Sequence, residues 1–472
     1  MKRTLYIILS VACVVSLTGC KKYLDVTPKA NISEEQLFTS EPGFQQALGG
    51  VYSQLASRNL YGDKLTMGFV STLAQNYVIA QSGYIPLVET RKLNYESAEV
   101  QDHTEAIWGT AYAALAGINK ILQNTEKNRA VLSDQGHALV RGEALALRAL
   151  LHFDLLRLFG KTYATGANDK AIPYKTDVTD NINIPNTTTE VINFALSDLR
   201  ESENLLKTAD PIVTLNTRSR RNHLNYYGVK ALEARIRLYM GDNPGAAAAA
   251  AIVINSGRYP FVTSTAASST TARDRLYMTE QVFMVRVRTM TYADGTPAAY
   301  FRFNAGAAYK LTLSDANFKT LYENSSTDIR YLYRVEQDGG IPFPSKYWQT
   351  TATTLDSTRL DQCVPVIRLA EMYYILAETA PTLNDGFTQL NAVRTRRGLS
   401  ALPVSTQATL NNEITKEYQK EFYAEGQLWF YYKRKATPRP QFLISSITSD
   451  LTPAKYVLPI PPTELQFNPN YN

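Results

Sequence analysis

The chain has 472 residues but only 3 cysteines, 4 histidines and 3 tryptophans, and each shortage excludes something. Cys13 sits inside an N-terminal apolar run and Cys20 at its end, so Cys363 is left alone and no disulfide framework can hold the fold. Stability must come from core packing. Beside Val364, Val366 and Ile367, Cys363 reads as a small buried hydrophobe. His103, His137, His152 and His223 show no HExxH spacing, and no cysteine is at hand to complete a zinc site, so no metal or cofactor is expected. There is no GxSxG elbow and no GxGxxG. Phe159-Gly160-Lys161-Thr162 imitates the end of a P-loop, yet Leu155 stands where its first glycine belongs, and a helix C-terminus fits better. An excess of one charge is also missing. Lys plus Arg is 49 and Asp plus Glu 43, a formal net charge of +6 with no run of five like charges. That excludes a nucleic-acid stripe or a polybasic membrane patch. Paired carboxylates for glycoside hydrolysis depend on spatial separation and stay open; Glu371 and Glu378, with Arg368 nearby, read as structural ion-pair residues.

The N-terminus sets the compartment. Met1, Lys2 and Arg3 precede an apolar run from Leu5 to Leu17, long enough for a secretory h-region and too short to span a bilayer. It ends in Leu17-Thr18-Gly19-Cys20, which looks like the lipobox of bacterial lipoproteins. Residues 1–19 are therefore expected to be a signal peptide, with Cys20 lipidated at the start of the mature chain. Two or more acyl chains suffice for stable anchoring without a spanning helix.

What is abundant is helical periodicity and tyrosine, 30 residues of it against 17 Phe. Ser40 is an N-cap candidate before Phe44, Ala47, Leu48, Val51, Tyr52 and Leu55. Trp108, Tyr112, Leu115, Ile118 and Leu122 form a second stripe, and 133–159 is apolar on nearly every side. Thr187 and Glu190 have capping-box spacing. Between Leu224 and Gly257 the chain reads helix, turn at Gly241-Asp242-Asn243-Pro244, then an alanine-rich helix, which matches the 34-residue tetratricopeptide (TPR) period. A looser copy runs from Leu369 through a turn at Asn384-Asp385-Gly386 to Arg397. One helix pair cannot bury its own apolar face, so stacked pairs are expected. The fold class is mainly α, a TPR-like helical-repeat scaffold with long loops and small β elements. Two irregular stretches, about 58–101 and 260–365, interrupt it, and long ordered loops usually carry function. The tail from Tyr456 to Asn472 reads as extended and pinned to the body.

Several motifs in order resemble the SusD/RagB outer-membrane lipoproteins of Bacteroidetes. They are the lipobox with Tyr23-Leu24-Asp25 and Pro28, RGEALALRALLHFDLLRLFG over 141–160 with Ile172-Pro173, IRLAEMYYILAET over 367–379, LNAVRTRRGL over 390–399, and YVLPIPPTELQFNPN over 456–470. Glu417, Glu421, Glu425, Gly426 and Arg434 also match. Tyr418 replaces a usual Arg, and Leu428 and Tyr431 replace a frequent Arg and Asp, which weakens the carry-over of a buried ion-pair network and suggests a subgroup. The resemblance implies one SusD-like domain over 20–472. It further implies a cell-surface binder of nutrient oligomers, oligosaccharide or oligopeptide, that delivers them to a SusC-like TonB-dependent transporter and is not an enzyme. A surface-tethered hydrolase is the alternative, and a purely structural partner of the barrel a third reading. The matched motifs read as core, so binding is expected in the irregular stretches. With every tryptophan near a scaffold position, a glycan site there would use Tyr77, Tyr84, Tyr292 and Tyr300 with Asn76 and Asp294.

Overall fold

Ser40 opens the first long helix, α1 (Glu41–Leu55): its hydroxyl accepts from Gly43 N, and Phe44, Leu48, Val51 and Leu55 are buried. Ser97 and Ser133 do the same for α2 (Ala98–Lys127) and α3 (Asp134–Phe159). Every residue of α3 from Gly142 to Phe159 is buried, because α3 packs between α2 and α4 (Thr188–Ala209) and also touches α1. The capping box of Thr187 and Glu190 is formed at the start of α4. The computed structural model describes residues 34–79, 87–179, 181–215, 218–287, 300–301, 311–347, 362–440 and 450–471.

The next pair is α5 (Tyr226–Met240) and α6 (Asn243–Asn255), joined where Gly241 takes φ +84°, a left-handed conformation that a side chain would strain. Ala246, Ala249 and Ala250 are buried on the facing side of α6. Ala250→Leu is expected to cost about 1–3 kcal/mol by overpacking, read as a lower urea midpoint; an unchanged midpoint would mean this face is not a close contact.

Further along, α7 (Leu369–Glu378) and α8 (Leu383–Arg396) form the second pair. Its turn lies earlier than the composition suggests. Thr382 caps α8 by accepting from Asp385 N at 3.1 Å, which places Asn384, Asp385 and Gly386 in the first turn of the helix. Gly386 is a packing residue, since a Cβ there would sit 2.5 Å from Leu410 Cδ2 of α9 (Gln407–Glu421). Two shorter helices follow, α10 (Gln427–Arg434) and α11 (Pro462–Phe467), the second lying within the tail expected to be extended, and several one- or two-turn helices lie in the connections. From α1 to α8 each helix packs on its successor, the arrangement of a helical-repeat solenoid. Among the described residues no helix is long and apolar enough to cross a membrane.

The strands are short: β1 Val78–Ile79, β2 Lys170–Ile172, β3 Asn186–Thr187, β4 Gln281–Arg286, β5 Leu311–Thr312, β6 Val335–Asp338, β7 Ile341–Pro344 and β8 Cys363–Arg368. They pair antiparallel as β1 with β5, β2 with β3, β4 with β8 and β6 with β7. Strand β8 is wholly buried, Cys363 included, and runs straight into α7. One hydrophobic core extends from Phe38 to Leu458, with a small satellite around Tyr277 and Ile329.

Candidate functional site

Two regions bear on function, and the first is where the irregular stretches meet. Val78 pairs with Thr312 across β1 and β5, and Phe301 lies 6.1 Å from Tyr77, so the two stretches do share one place. The two described tyrosines among the expected contacts, Tyr77 and Tyr300, are not binding platforms, however. Tyr77 is 1% exposed, donates its hydroxyl to Met67 O at 2.5 Å and meets Tyr423 edge-on. Asn76 accepts from Ala424 N, and the buried Tyr300 hydroxyl donates to Asp63 at 2.8 Å. The expectation is corrected for these three: an amphipathic ring can bury both faces when its hydroxyl finds an internal acceptor, and composition does not reveal whether one exists. Tyr84, Tyr292 and Asp294 lie outside the described residues, as does Cys20.

Beneath this junction lies a buried charge network that survives the departures at 418, 428 and 431. Glu421 accepts from Arg368, from Arg397 at 2.9 Å and from Arg330 at 3.1 Å. Glu417 accepts from Arg330 at 2.8 Å and Arg394 at 3.0 Å, and Glu425 from Lys346 at 2.6 Å and Arg368 at 2.9 Å. Tyr418 and Tyr431 lie outside it, stacked on each other at 4.2 Å. Arg368 therefore serves Glu421 and Glu425, while Glu371 pairs with Arg235 and Glu378 with Arg434. These groups neutralise one another and are buried or nearly so, so the network is structural.

The second region is an open groove along one face of α2. Trp108, Tyr112, Ala116, Asn119, Lys120 and Gln123 recur at helical spacing and form its floor. One wall is formed by described residues between β2 and β3, 173–179 and 181–183; the other is α11, with Glu464 and Phe467. The space comprises two adjoining cavities of about 660 and 440 Å³ that share Asn119, Asp177, Val178 and Thr179 in their linings, each within the usual size of a ligand site.

Both walls are pinned. Along the first, alternate carbonyls each accept a side-chain donor: Pro173 from Tyr112 Oη, Lys175 and Asp177 from Asn119 Nδ2, Thr179 from Lys175 Nζ, Asn181 from Asn183 Nδ2, and Asn183 from Asn468 Nδ2. His152 on α3 accepts from Lys175 N at 3.0 Å through Nε2 and donates from Nδ1 to Arg148 O. Burial pushes its pKa down to about 3, so it is a neutral structural imidazole at ordinary pH. The tail wall is tied by Trp108 Nε1 donating to Glu464 at 3.3 Å, Asn468 Nδ2 donating to Glu464 at 2.8 Å, and Tyr471 Oη donating to Ala171 O at 3.3 Å. On these fixed supports Phe467 is 70% exposed, Ile184 65% and Ile182 59%. The sequence reading missed this region. Its signal was there in the Asn181-Ile-Asn-Ile-Pro185 run, apolar residues in a loop with no core left to enter. Among the described residues no cluster of His, Cys, Asp and Glu could hold a metal.

Comparison with known proteins agrees with the architecture. A model described as the SusD family matches residues 300–472, and one described as starch-binding associating with outer membrane matches residues 22–220. Two SusD-like proteins of Formosa agariphila are 28% and 25% identical over 160 and 209 residues, 33% and 43% of this chain. The chain spans 30% and 34% of the length of those relatives. Among solved structures, a SusD superfamily protein from Bacteroides thetaiotaomicron superposes with TM-score 0.71 at 22% identity, covering 91% of this chain and 98% of that one. A SusD-like carbohydrate binding protein from Bacteroides vulgatus gives TM-score 0.72 at 17% identity, covering 91% and 97%. A laminarin binding SusD-like protein gives 0.65 at 20%, covering 91% and 98%. At these identities the structural likeness is one of fold, and with the two family matches, which between them take in most of the sequence, it leads to one conclusion: the chain belongs to the SusD/RagB family.

Proposed function

We propose that this protein captures glycan oligomers at the outer membrane and passes them to a SusC-like TonB-dependent transporter, anchored by a lipid on Cys20 and facing the cell exterior. The observation that carries the reading is the family match, whose N-terminal model is described as starch-binding and associating with outer membrane. The laminarin binding neighbour supports a glycan over an oligopeptide as ligand. The neutral, buried His152 and the internally paired carboxylates support capture over hydrolysis. Tyr84, Tyr292 and Asp294, outside the described residues, remain proposed ligand contacts. The test is retardation of the mature chain in native gels containing soluble starch or laminarin. A Tyr84→Ala, Tyr292→Ala double variant should lose at least tenfold in affinity, the size of an aromatic contact at a binding hot spot. Wild-type retardation of the double variant would remove these residues from the site, and turnover of either polysaccharide would favour the hydrolase. Partitioning of the full chain into a detergent phase checks the anchor, and recovery in the aqueous phase would refute it.

A further inference from the structure

We propose that the groove between α2, the 173–183 wall and α11 is a glycan-binding site in its own right, separate from the junction of the irregular stretches, taking a neutral oligosaccharide chain with Phe467 as its platform. The inference rests on the capture reading above and adds a place and a ligand class to it.

Shape is the first argument. From Trp108 to Gln123 the floor follows about 22 Å of helix, and the two cavities lie side by side along it with lining residues in common, so the space suits an oligomer better than a single ring. Rigidity is the second. A platform lowers the cost of binding only if it is held before the ligand arrives, and Phe467 sits on a tail segment tied through Glu464, Asn468 and Tyr471. Its ring nevertheless stays in water.

Charge selects the class. Arg148 is taken by Asp198 in a bidentate pair with both contacts at 2.7 Å, and Arg141 by Glu126 and Glu201. Lys175 lies 3.8 Å from Asp177, and Glu464 is satisfied by the neutral donors of Trp108 and Asn468. Lys120 on the floor is likewise engaged, so the lining offers no group of free like charges to an ionic ligand. It does offer side-chain amides at Asn181 and Gln123 on the open face, which can both donate to and accept from hydroxyls, beside an exposed ring for a sugar's C–H face. A peptide binding as an added strand would need a regular strand edge to extend. This wall bends instead at Asp177, whose carboxylate accepts from Thr179 N.

The experiment uses the mature chain in native gels with soluble starch and with laminarin, comparing wild type, Phe467→Ala, Asn181→Ala and the Tyr84, Tyr292 double variant. Phe467 and Asn181 are exposed, so their truncation should leave thermal stability unchanged. The expected result is at least a tenfold loss of affinity in Phe467→Ala, a smaller loss in Asn181→Ala, and ligand-dependent protection from hydrogen exchange over 173–183 and 462–468. Retarded wild type with Phe467→Ala and Asn181→Ala indistinguishable from it would overturn the groove and leave glycan capture standing. If neither polysaccharide retards wild type, the capture reading falls and the groove falls with it. Glycan affinity kept in Phe467→Ala but co-purification of a barrel partner lost would make the patch a protein interface, which also overturns the proposal.

Discussion

Glu421→Gln should be the most damaging single substitution in the described structure. The carboxylate is fully buried, and Arg368, Arg397 and Arg330 all donate to it while Arg334 lies 3.8 Å away. Burial alone would raise its pKa, but the surrounding guanidinium groups outweigh burial and hold it well below the usual carboxylate range. Gln keeps the shape and removes the charge, leaving several buried cations without their shared partner. Breaking a buried pair in this way costs about 3–5 kcal/mol. With an unfolding entropy of about 2.1 cal/mol/K per residue, 1 kcal/mol corresponds to about 1 °C in a chain of this length, so the melting point should fall by about 3–5 °C. Unchanged melting would show that Glu421 is not the charged centre of the network. By contrast, Tyr418→Phe should be nearly silent, because Tyr418 takes part through its ring, stacked on Tyr431.

A steep acid transition is the second large effect. Glu143 accepts from Tyr52 at 2.6 Å, Arg220 at 2.6 Å and His223 at 2.8 Å. Glu378 accepts from both arms of Arg434 and from Lys435, and Glu417 from Arg330 and Arg394. For each, burial works to raise the pKa, and the neighbouring cations overcome it and hold the group at about 2, against an ordinary value of 4.5. A carboxylate with a depressed folded-state pKa contributes its stabilisation in full above the unfolded value and loses it as pH falls toward the folded one. The contribution is on the order of 3 kcal/mol per group. The contribution of these three carboxylates should therefore be complete above about pH 5 and be lost between about 4.5 and 2, on top of a shallower decline that begins below about pH 6.5, where the unfolded chain protonates His103 and His152 and the fold holds them neutral. Urea midpoints across this range check it. A midpoint that stays flat down to pH 3 would mean these carboxylates are not held by their cations.

The helical scaffold was largely legible in the sequence because its causes are local. Ser40, Ser133, and Thr187 with Glu190 stand at helix starts whatever the rest of the chain does, since a cap satisfies backbone donors two or three residues away. The 34-residue spacing around Gly241 predicts a pair of helices, and the continuous apolar content of 133–159 predicts a helix covered on most sides, because periodicity reports burial without reporting the neighbour. Where two local signals compete, the reading slips: Asn384-Asp385-Gly386 has the composition of a turn, yet the cap at Thr382 and the close approach of Leu410 make it a first helical turn.

The site is a different matter. Whether Tyr77 is a platform or a core residue depends on Met67 O lying within reach of its hydroxyl, and whether Phe467 is buried depends on what α2 and the 173–183 wall leave open beside it. The substitutions at 418, 428 and 431 suggested a weakened network, but tertiary packing brings Arg330, Arg368 and the closely spaced Arg394 and Arg397, from separate parts of the chain, around the same carboxylates. The sequence by itself determined the helices from α1 to α8, their stacking and the family, since these follow from spacing along the chain. Only the tertiary structure decided which aromatic rings meet water, because exposure is set by residues hundreds of positions away.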